Sequence, residues 1–315
     1  MSKKKRVLVG LSWWVDSAVT AYLLQKEGYE VVAGFMKNYV SDEWNCPTRE
    51  DRDEAIKVAA FLGIKTFMIC DFREEYNAKV VEYIFDWYKR WITPNPDILC
   101  NTEIKFKVFL ERALEFGFDY MATGHYARIT ETKDGIFHLL KWVDPDKDQS
   151  YFLAGLNQFQ LSKALFPIGW MLKSEVRKIA EEIGLPNAKR KDSQWICFIG
   201  KTQMQKFLEK KIDPQKWDIL NVAWEKVGEH EGAWFYTIGQ RKWIKVWGWP
   251  ALFVIKKDVK RNIIVVWDEK EMDLYGDSLI ATNWHWIGNK YKMPFVLDFK
   301  IRYRQPDQTW IMTNL

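Results

Sequence analysis

The chain has 315 residues, 48% of them hydrophobic and 28% charged, with a formal net charge of +5. That composition supports two or three packed domains and excludes a disordered chain. No apolar run is long enough to span a membrane, and Met1-Ser-Lys-Lys-Lys-Arg6 leads into no secretory signal, so no membrane association is expected.

Arg6 to Leu11 is a short, β-branched apolar run that reads as a buried strand, and helical spacing follows from Asp16 to Glu27. A strand running straight into a helix at Ser12 is a place for phosphate. The first helical turn offers unpaired N–H groups and a partial positive charge. Ser12 and Ser17 add hydroxyls, and Asp16 adds a carboxylate suited to Mg²⁺ beside a triphosphate. Against this stand Trp13 and Trp14, because a phosphate loop wants bare backbone, often with positive φ. A strand–helix junction closed by a hydrophobic plug is the competing reading.

Further along, Tyr29 to Met36 and Lys65 to Cys70 read as strands. Thr48 to Leu62 (opened by a Thr48-x-x-Asp51 capping box), Tyr76 to Arg90 and Leu99 to Phe116 read as helices. Asp119 to Thr123 is a fourth strand, ending at Gly124-His125-Tyr126. Strands alternating with helices predict an α/β fold with a parallel sheet covered on both faces, whose ligand lies at the carboxyl ends of the strands. Ser12, Met36 and Gly124 all fall at such ends. Ala127 to Trp142 reads as a hairpin turning at Asp134-Gly135, and Ser174 to Gly184 as a helix.

After about residue 200 the pattern becomes a short helix (Thr202 to Lys211) followed by short strands. These are a hairpin from Ala251 to Trp267, then Leu279 to Trp286 and Phe295 to Arg304. The expected organisation is a nucleotide-binding domain over 1–199, a small central domain over 200–270, and the opening strands of a β-rich domain over 271–315. That last piece is too short to close a barrel.

Tryptophan is unusual in number, with 18 residues against 17 glycines. Trp142, Trp217, Trp224 and the Trp247-Gly-Trp249 pair stand in segments where turn chemistry favours glycine, which reads as an altered chain with Trp placed at a subset of glycine positions; an unusually Trp-rich natural protein is the alternative.

Four cysteines, Cys46, Cys70, Cys100 and Cys197, form no C-x-x-C pair, which argues against zinc and for a reducing, cytosolic setting. In Thr93-Pro-Asn-Pro-Asp-Ile-Leu-Cys100 two prolines stiffen a loop before a helix, Asn95 and Asp97 are candidate caps, and Cys100 falls in the first turn, where the dipole favours thiolate. A small buried hydrophobe is the alternative for Cys100. Cys197 lies in Lys191-Asp-Ser-Gln-Trp-Ile-Cys197-Phe-Ile-Gly200, after the basic run Lys189-Arg-Lys191. Cys70 reads as core and Cys46 as a loop thiol.

Ser12-x-x-Val15-Asp16-Ser17 after a strand resembles the Ser-Gly-Gly-x-Asp-Ser loop of the PP-loop ATP pyrophosphatases, with Trp13-Trp14 where that family has Gly-Gly. Pro94-Asn-Pro-Asp-Ile-Leu-Cys100, Asp192-Ser-Gln-Trp-Ile-Cys-Phe198, Gly124-His125, Lys147-Asp148-Gln149 and Arg302-Tyr303-Arg304-Gln305 narrow the resemblance to the bacterial tRNA-specific 2-thiouridylases. It runs in unbroken order from Lys5 to Gln305; the family's complete C-terminal β-barrel makes this chain look shortened at Leu315.

The resemblance implies ATP, with Mg²⁺, at Gly10, Leu11, Ser12, Trp13, Trp14, Val15, Asp16, Ser17, Met36 and Gly124. It implies tRNA at Asn95, Pro96, Asp97, His125, Lys147, Asp148, Gln149, Arg302 and Tyr303. It also implies sulfur transfer between Cys197 (as persulfide) and Cys100, leaving a disulfide, with Asp97 moving a proton. A sulfur-donor protein and a monomeric enzyme are the remaining expectations. Two other functions stay open: another adenylating PP-loop enzyme, which would need an ammonia source and no cysteine pair, and a tRNA-binding chain catalytically impaired by Trp13-Trp14.

Overall fold

The computed structural model describes residues 4–39, 48–144, 147–190, 204–241, 244, 246, 252–258, 260–268 and 278–313. The chain divides into two units. The first comprises Met1–Asn77, Asp97–Gln194 and His285–Leu315, and the second comprises Ala78–Pro96 and Trp195–Trp284.

In the first unit, β1 (Arg6–Gly10) leads through the Ser12 loop into α1 (Val15–Lys26), followed by β2 (Glu30–Lys37), α2 (Thr48–Phe61) and β3 (Phe67–Asp71). The side chain of Thr48, and with it the expected capping box, lies outside the described residues. After α3 (Arg73–Tyr76), α4 (Glu82–Lys89) belongs to the second unit. The predicted helix at Leu99 starts earlier, as α5 (Pro96–Leu99). It continues as a π-helical stretch over Cys100–Phe109 and closes as α6 (Leu110–Glu115). Proline suits the first helical position, where its missing N–H costs nothing. Cys100 therefore sits one turn inside the helix and not in its first turn.

β4 (Tyr120–Ala122) completes the predicted strands, and the hairpin forms as β5 (Arg128–Glu131) and β6 (Phe137–Leu140). Following α7 (Gln158–Lys163), a two-residue strand that the sequence pattern missed, β7 (Ala164–Leu165), extends the sheet. The order is β3-β2-β1-β4-β7, all parallel. Val7, Leu8 and Val9 of β1 are wholly buried, as a central strand covered on both faces requires. Val15, Ala18, Val19 and Leu24 of α1 pack into the same core as Val176 and Ala180 of α8 (Lys173–Glu182).

The second unit adds α9 (Met204–Glu209), β8 (Trp217–Leu220), β9 (Lys226–His230), β10 (Leu252–Asp258) and β11 (Ile263–Asp268), in the order β10-β11-β8-β9. Its core is Ile219, Val254, Ile264 and Val266, with Tyr236 and Leu252.

Two expectations near the end are corrected. Leu279 to Trp286 is not a strand. Phe295 to Arg304 stops at Phe299 as β12 (Phe295–Phe299), which pairs with β13 (Gln308–Met312). Arg302-Tyr303-Arg304-Gln305 is therefore a turn. Gln305 N donates to Arg302 O at 3.2 Å, Arg302 N donates to Gln305 Oε1 at 3.2 Å, and Arg304 takes φ 66°. Those local bonds replace the strand ladder.

The tryptophans divide. Trp91 and Trp224 do adopt the left-handed backbone that glycine favours, at φ 64° and 63°. Trp91 N donates to Tyr88 O and Ile92 N to Trp87 O, the same end that Gly184 (φ 73°) forms on α8 through Glu181 O and Ala180 O. Trp142 instead is a buried core residue whose ring lies tilted 4.1 Å from that of Tyr126, and Trp217 opens β8. Trp247 and Trp249 lie outside the described residues.

Candidate functional site

The Ser12 to Ser17 loop is tied together by its own serines. Ser17 Oγ accepts from Ser12 N at 3.0 Å, lies 3.0 Å from Ser12 Oγ, and is 3.1 Å from Trp14 O. Trp14 is the residue before α1, with φ −84° and ψ 149°, an ordinary extended conformation. Trp13 is not left-handed either. The backbone strain expected of two tryptophans at glycine positions is thus absent at this loop: the N-cap conformation is open to any L-residue. What remains is bulk. The two indoles lie tilted against each other at 32° with centroids 3.9 Å apart, and the Arg190 guanidinium covers the Trp13 ring at 3.2 Å from its centroid. Asn187 donates to Trp13 O at 3.0 Å.

The sheet brings the other candidate ATP residues to this loop. Gly10 pairs with Gly34 in register, and a Cβ on Gly10 would lie 3.1 Å from Met36 Cε. Leu11 N donates to Gly34 O at 2.9 Å. Gly124, just beyond β4, is held against the first turn of α1. What approaches it closely is the Asp16–Ser17 backbone.

Asp16 carries two partners that sequence reasoning missed. Tyr126 Oη donates to Asp16 Oδ1 at 2.6 Å, and Lys173 Nζ lies 2.5 Å from the same oxygen. A signal for Lys173 existed: it opens α8, where a cation faces the positive end of the helix dipole and needs a separate reason to be there. Among the described residues no cluster of three metal-ligating side chains occurs. A single loop carboxylate suits an ion that arrives on a triphosphate, since Mg²⁺ takes one or two carboxylates and completes its shell with phosphate and water.

His125 is 9% exposed, with Thr123 Oγ1 2.7 Å from Nδ1 and the rings of Phe106 and Phe166 at 5.7 and 5.9 Å. Burial, reinforced by the charge of Lys105, holds it well below the usual histidine range, so the ring is neutral.

Asp97 and Cys100 lie three residues apart on one continuous helix, a spacing that places them on one side. Cys100 is 2% exposed, and Asn101 beside it donates to Phe152 O at 3.3 Å. Asn95 and Pro96 belong to the second unit. Cys70 is core, and burial pushes its thiol up to about 11, which makes it inert. Cys46 and Cys197, with the whole Lys191 to Gly200 string, lie outside the described residues.

The two strings expected at RNA meet in space. Lys147-Asp148-Gln149 runs into the turn Ser150–Leu153, and the Tyr303 ring lies 4.4 Å from Phe152 and 6.2 Å from Tyr151. Tyr151 Oη donates to Ile301 O at 3.1 Å. Within this face Asp148 and Gln149 point inward. Asp148 is buried and accepts from Trp142 N, Ser150 N and Ser150 Oγ, and Gln149 exchanges two 2.9 Å bonds with the Tyr126 backbone. Arg302 and Arg304 are exposed.

Residues 5–201 match the family model described as tRNA methyl transferase HUP domain, and residues 205–268 match the tRNA methyl transferase PRC-barrel domain. The chain is 46% identical over 313 residues to the tRNA-specific 2-thiouridylase MnmA of Methylobacillus flagellatus, covering 96% of this chain and 86% of that protein. It is 46% identical to MnmA 1 of Geobacillus kaustophilus and 45% identical to MnmA of Staphylococcus aureus strain JH9, in each case over 97% of this chain and 84% of the relative.

Proposed function

Because the chain belongs to the tRNA-specific 2-thiouridylase family, we propose that it uses ATP to replace the C2 oxygen of a wobble uridine in tRNA with sulfur. The observation that carries this is the match over nearly the whole chain. The family-model description speaks of methyl transfer, but the relatives that span the chain are named 2-thiouridylases, and two cysteines in matching strings suit sulfur chemistry.

A ring carbon in a stacked base is out of reach, so the uridine must leave its stack. Its C2 oxygen attacks the α-phosphorus of ATP and pyrophosphate departs, which turns a poor leaving group into AMP. Ser12, Val15, Asp16 and Ser17 present hydroxyls and first-turn N–H groups to the phosphates. Mg²⁺, when bound beside Asp16, neutralises charge on the pyrophosphate. Gly10, Met36 and Gly124 line the sheet end where the rest of the nucleotide lies.

Cys197 carries the sulfur as a persulfide. The Cys100 thiolate attacks the Cys197 sulfur, a Cys100–Cys197 bond forms, and sulfide leaves with the electron pair of the broken S–S bond to displace AMP at C2. Cys100 is oxidised to the disulfide level, the outer persulfide sulfur is reduced to sulfide, and the Cys197 sulfur stays at the disulfide level. A thiol reductant then resets the pair, and a protein persulfide reloads Cys197. Asp97 takes the proton released as Cys100 reacts. Arg302, Arg304 and Lys147 hold RNA phosphates, and Tyr303 offers a stacking face.

The test is ATP-dependent formation of 2-thiouridine in tRNA, read by nucleoside mass spectrometry, with non-reducing peptide mapping after one turnover. The expected linkage is Cys100 to Cys197. A linkage through Cys46 or Cys70 overturns the assignment.

A further inference from the structure

The loop from Trp91 to Asn95 joins α4 to α5, and other residues of the second unit hold it at three points. Lys257 Nζ, from β10, donates to Trp91 O at 2.9 Å. Thr93 Oγ1 lies 2.9 Å from Thr237 Oγ1. The Asn95 backbone bonds to the Tyr83 hydroxyl on α4. The holders are themselves fixed. Gln240 N donates to Thr237 O at 2.9 Å and closes a turn whose third residue, Gly239, takes φ 80°, as a type II turn demands there. Val254 N donates to Gln240 O at 3.0 Å, which ties that turn to β10. The Trp91 ring rests edge-on against the buried Trp234.

Along the string Pro94 and Pro96 are buried, while Asn95 and Asp97 are half-buried. The prolines keep Thr93 and Asn95 extended and offer no N–H of their own, so the loop depends on outside bonds. Capping α4 is one reason for Lys257, since a cation suits the carbonyls at a helix C-terminus. It gives no reason for the Thr93–Thr237 bond, which lies beyond the helix. Nor is the placement of Lys257 free of cost, because burial pulls its ammonium below the usual lysine range.

We propose that Thr237 and Lys257 are positioning residues for sulfur transfer, holding the Trp91 to Asn95 loop so that Asn95 and Asp97 meet the uridine in one geometry. This rests on the reading of Asn95 and Asp97 as groups that face tRNA. Phosphate contacts supply most of the affinity for a nucleic acid, so a loosened loop slows the chemical step more than it weakens binding.

The experiment separates positioning from mere support of the fold. In the full chain carrying Trp13→Gly and Trp14→Gly, 2-thiouridine formation is measured for Thr237→Val, Thr237→Ser, Thr93→Val, the Thr93→Val and Thr237→Val pair, and Lys257→Met. Thr237→Val and Lys257→Met should each lower kcat on the order of 10- to 100-fold, as a small misplacement of reacting groups does, with little change in KM for tRNA. Thr237→Ser keeps the hydroxyl and should recover most of the rate. The paired variant should lose no more than Thr237→Val alone, because one bond is lost only once. Should Thr237→Val not fold, Thr93→Val breaks the same bond from the loop side. Hydrogen exchange of the Ile92 to Leu99 peptide should quicken in Thr237→Val. Unchanged kcat or unchanged exchange overturns the proposal, as do equal losses in Thr237→Val and Thr237→Ser, or additive losses in the pair. A fall in urea stability without a fall in kcat leaves a structural role alone and overturns it too. If Asn95→Ala and Asp97→Asn leave kcat unchanged in the same chain, the reading of that string fails and this inference with it.

Discussion

A Cβ added to Gly124 would stand 2.8 Å from the carbonyl carbon of Asp16 and 2.8 Å from the amide nitrogen of Ser17. Both atoms are backbone and cannot swing aside. The end of β4 and the first turn of α1 are thus pressed together at the point where the loop presents its N–H groups. Gly124→Ala should push that turn away and cost about 1–3 kcal/mol in urea unfolding, the usual range for overpacking. Measured in the Trp13→Gly, Trp14→Gly chain, ATP binding should fall at least 10-fold in the same variant, in keeping with one lost charged hydrogen bond. Unchanged stability and affinity would show that the turn can yield.

Trp13 and Trp14 carry no left-handed strain, so their effect on ATP is steric. Each indole presents on the order of 150–250 Å² of surface in a loop whose relatives in chemistry use bare backbone. Arg190 covers the Trp13 ring. The parent chain is expected to bind ATP weakly, and Trp13→Gly with Trp14→Gly to bind it tightly, by calorimetry with Mg²⁺ present. Equal affinities would mean that both indoles turn outward when the nucleotide enters.

Trp224 tests the glycine-position idea without involving the site. It is 53% exposed and left-handed in the turn between β8 and β9. Replacing it with glycine removes a conformational penalty of roughly 1–2 kcal/mol and gives back part of that through unfolded-chain entropy. The net expectation is a gain of about 1 kcal/mol in denaturant unfolding. Trp91→Gly should not gain, because the Trp91 ring lies edge-on 5.1 Å from Trp234, beside the core of the second unit. Identical responses would contradict this division.

Burial keeps two histidines neutral. His125 lies well below the ordinary range, and His230 is lowered by burial against the opposing effects of Asn262 and Asp218. Below about pH 6.5 the unfolded chain takes up protons that the folded chain refuses, so stability falls as pH drops. His125→Gln should remove one proton from that slope between about pH 6.5 and 5. Asp51, pushed up to about 6 by burial, acts with the opposite sign, but it is common to parent and variant and cancels. An unchanged slope would place His125 in solvent.

Arg302→Ala should weaken tRNA binding and reduce the slope of log affinity against log salt by about one, as loss of one phosphate contact requires. The turn that carries Arg302 packs through Tyr303 on Phe152, so the variant should keep its fold. Affinity that is unchanged across salt would show that this turn does not face RNA.

The amino-acid sequence by itself determined the local and the chemical. Arg6 to Leu11 announces a central strand because β-branched residues without alternation suit a sheet buried on both faces. The Ser12 to Ser17 and Pro94 to Cys100 strings point to chemistry only through their resemblance to a family; by residue type alone a hydrophobic plug and a buried thiol stay open. Helix ends were legible within a few residues wherever glycine or proline marked them.

Tertiary structure decided what crosses the chain. Lys173 and Tyr126 meet Asp16 from 157 and 110 positions away, and no local periodicity encodes that. It follows from the order of parallel strands, which sets the β4 and β7 ends beside the loop after β1. The same holds for Trp142, which reads as a turn residue yet fills a core space against Tyr126. Arg302 to Gln305 reads as strand yet turns, because its own backbone and side-chain bonds outweigh an uncompleted ladder. Backbone pattern reports a residue's neighbours in sequence. The partners that give Asp16 its environment come from the packing of distant segments, where burial and charge are settled together.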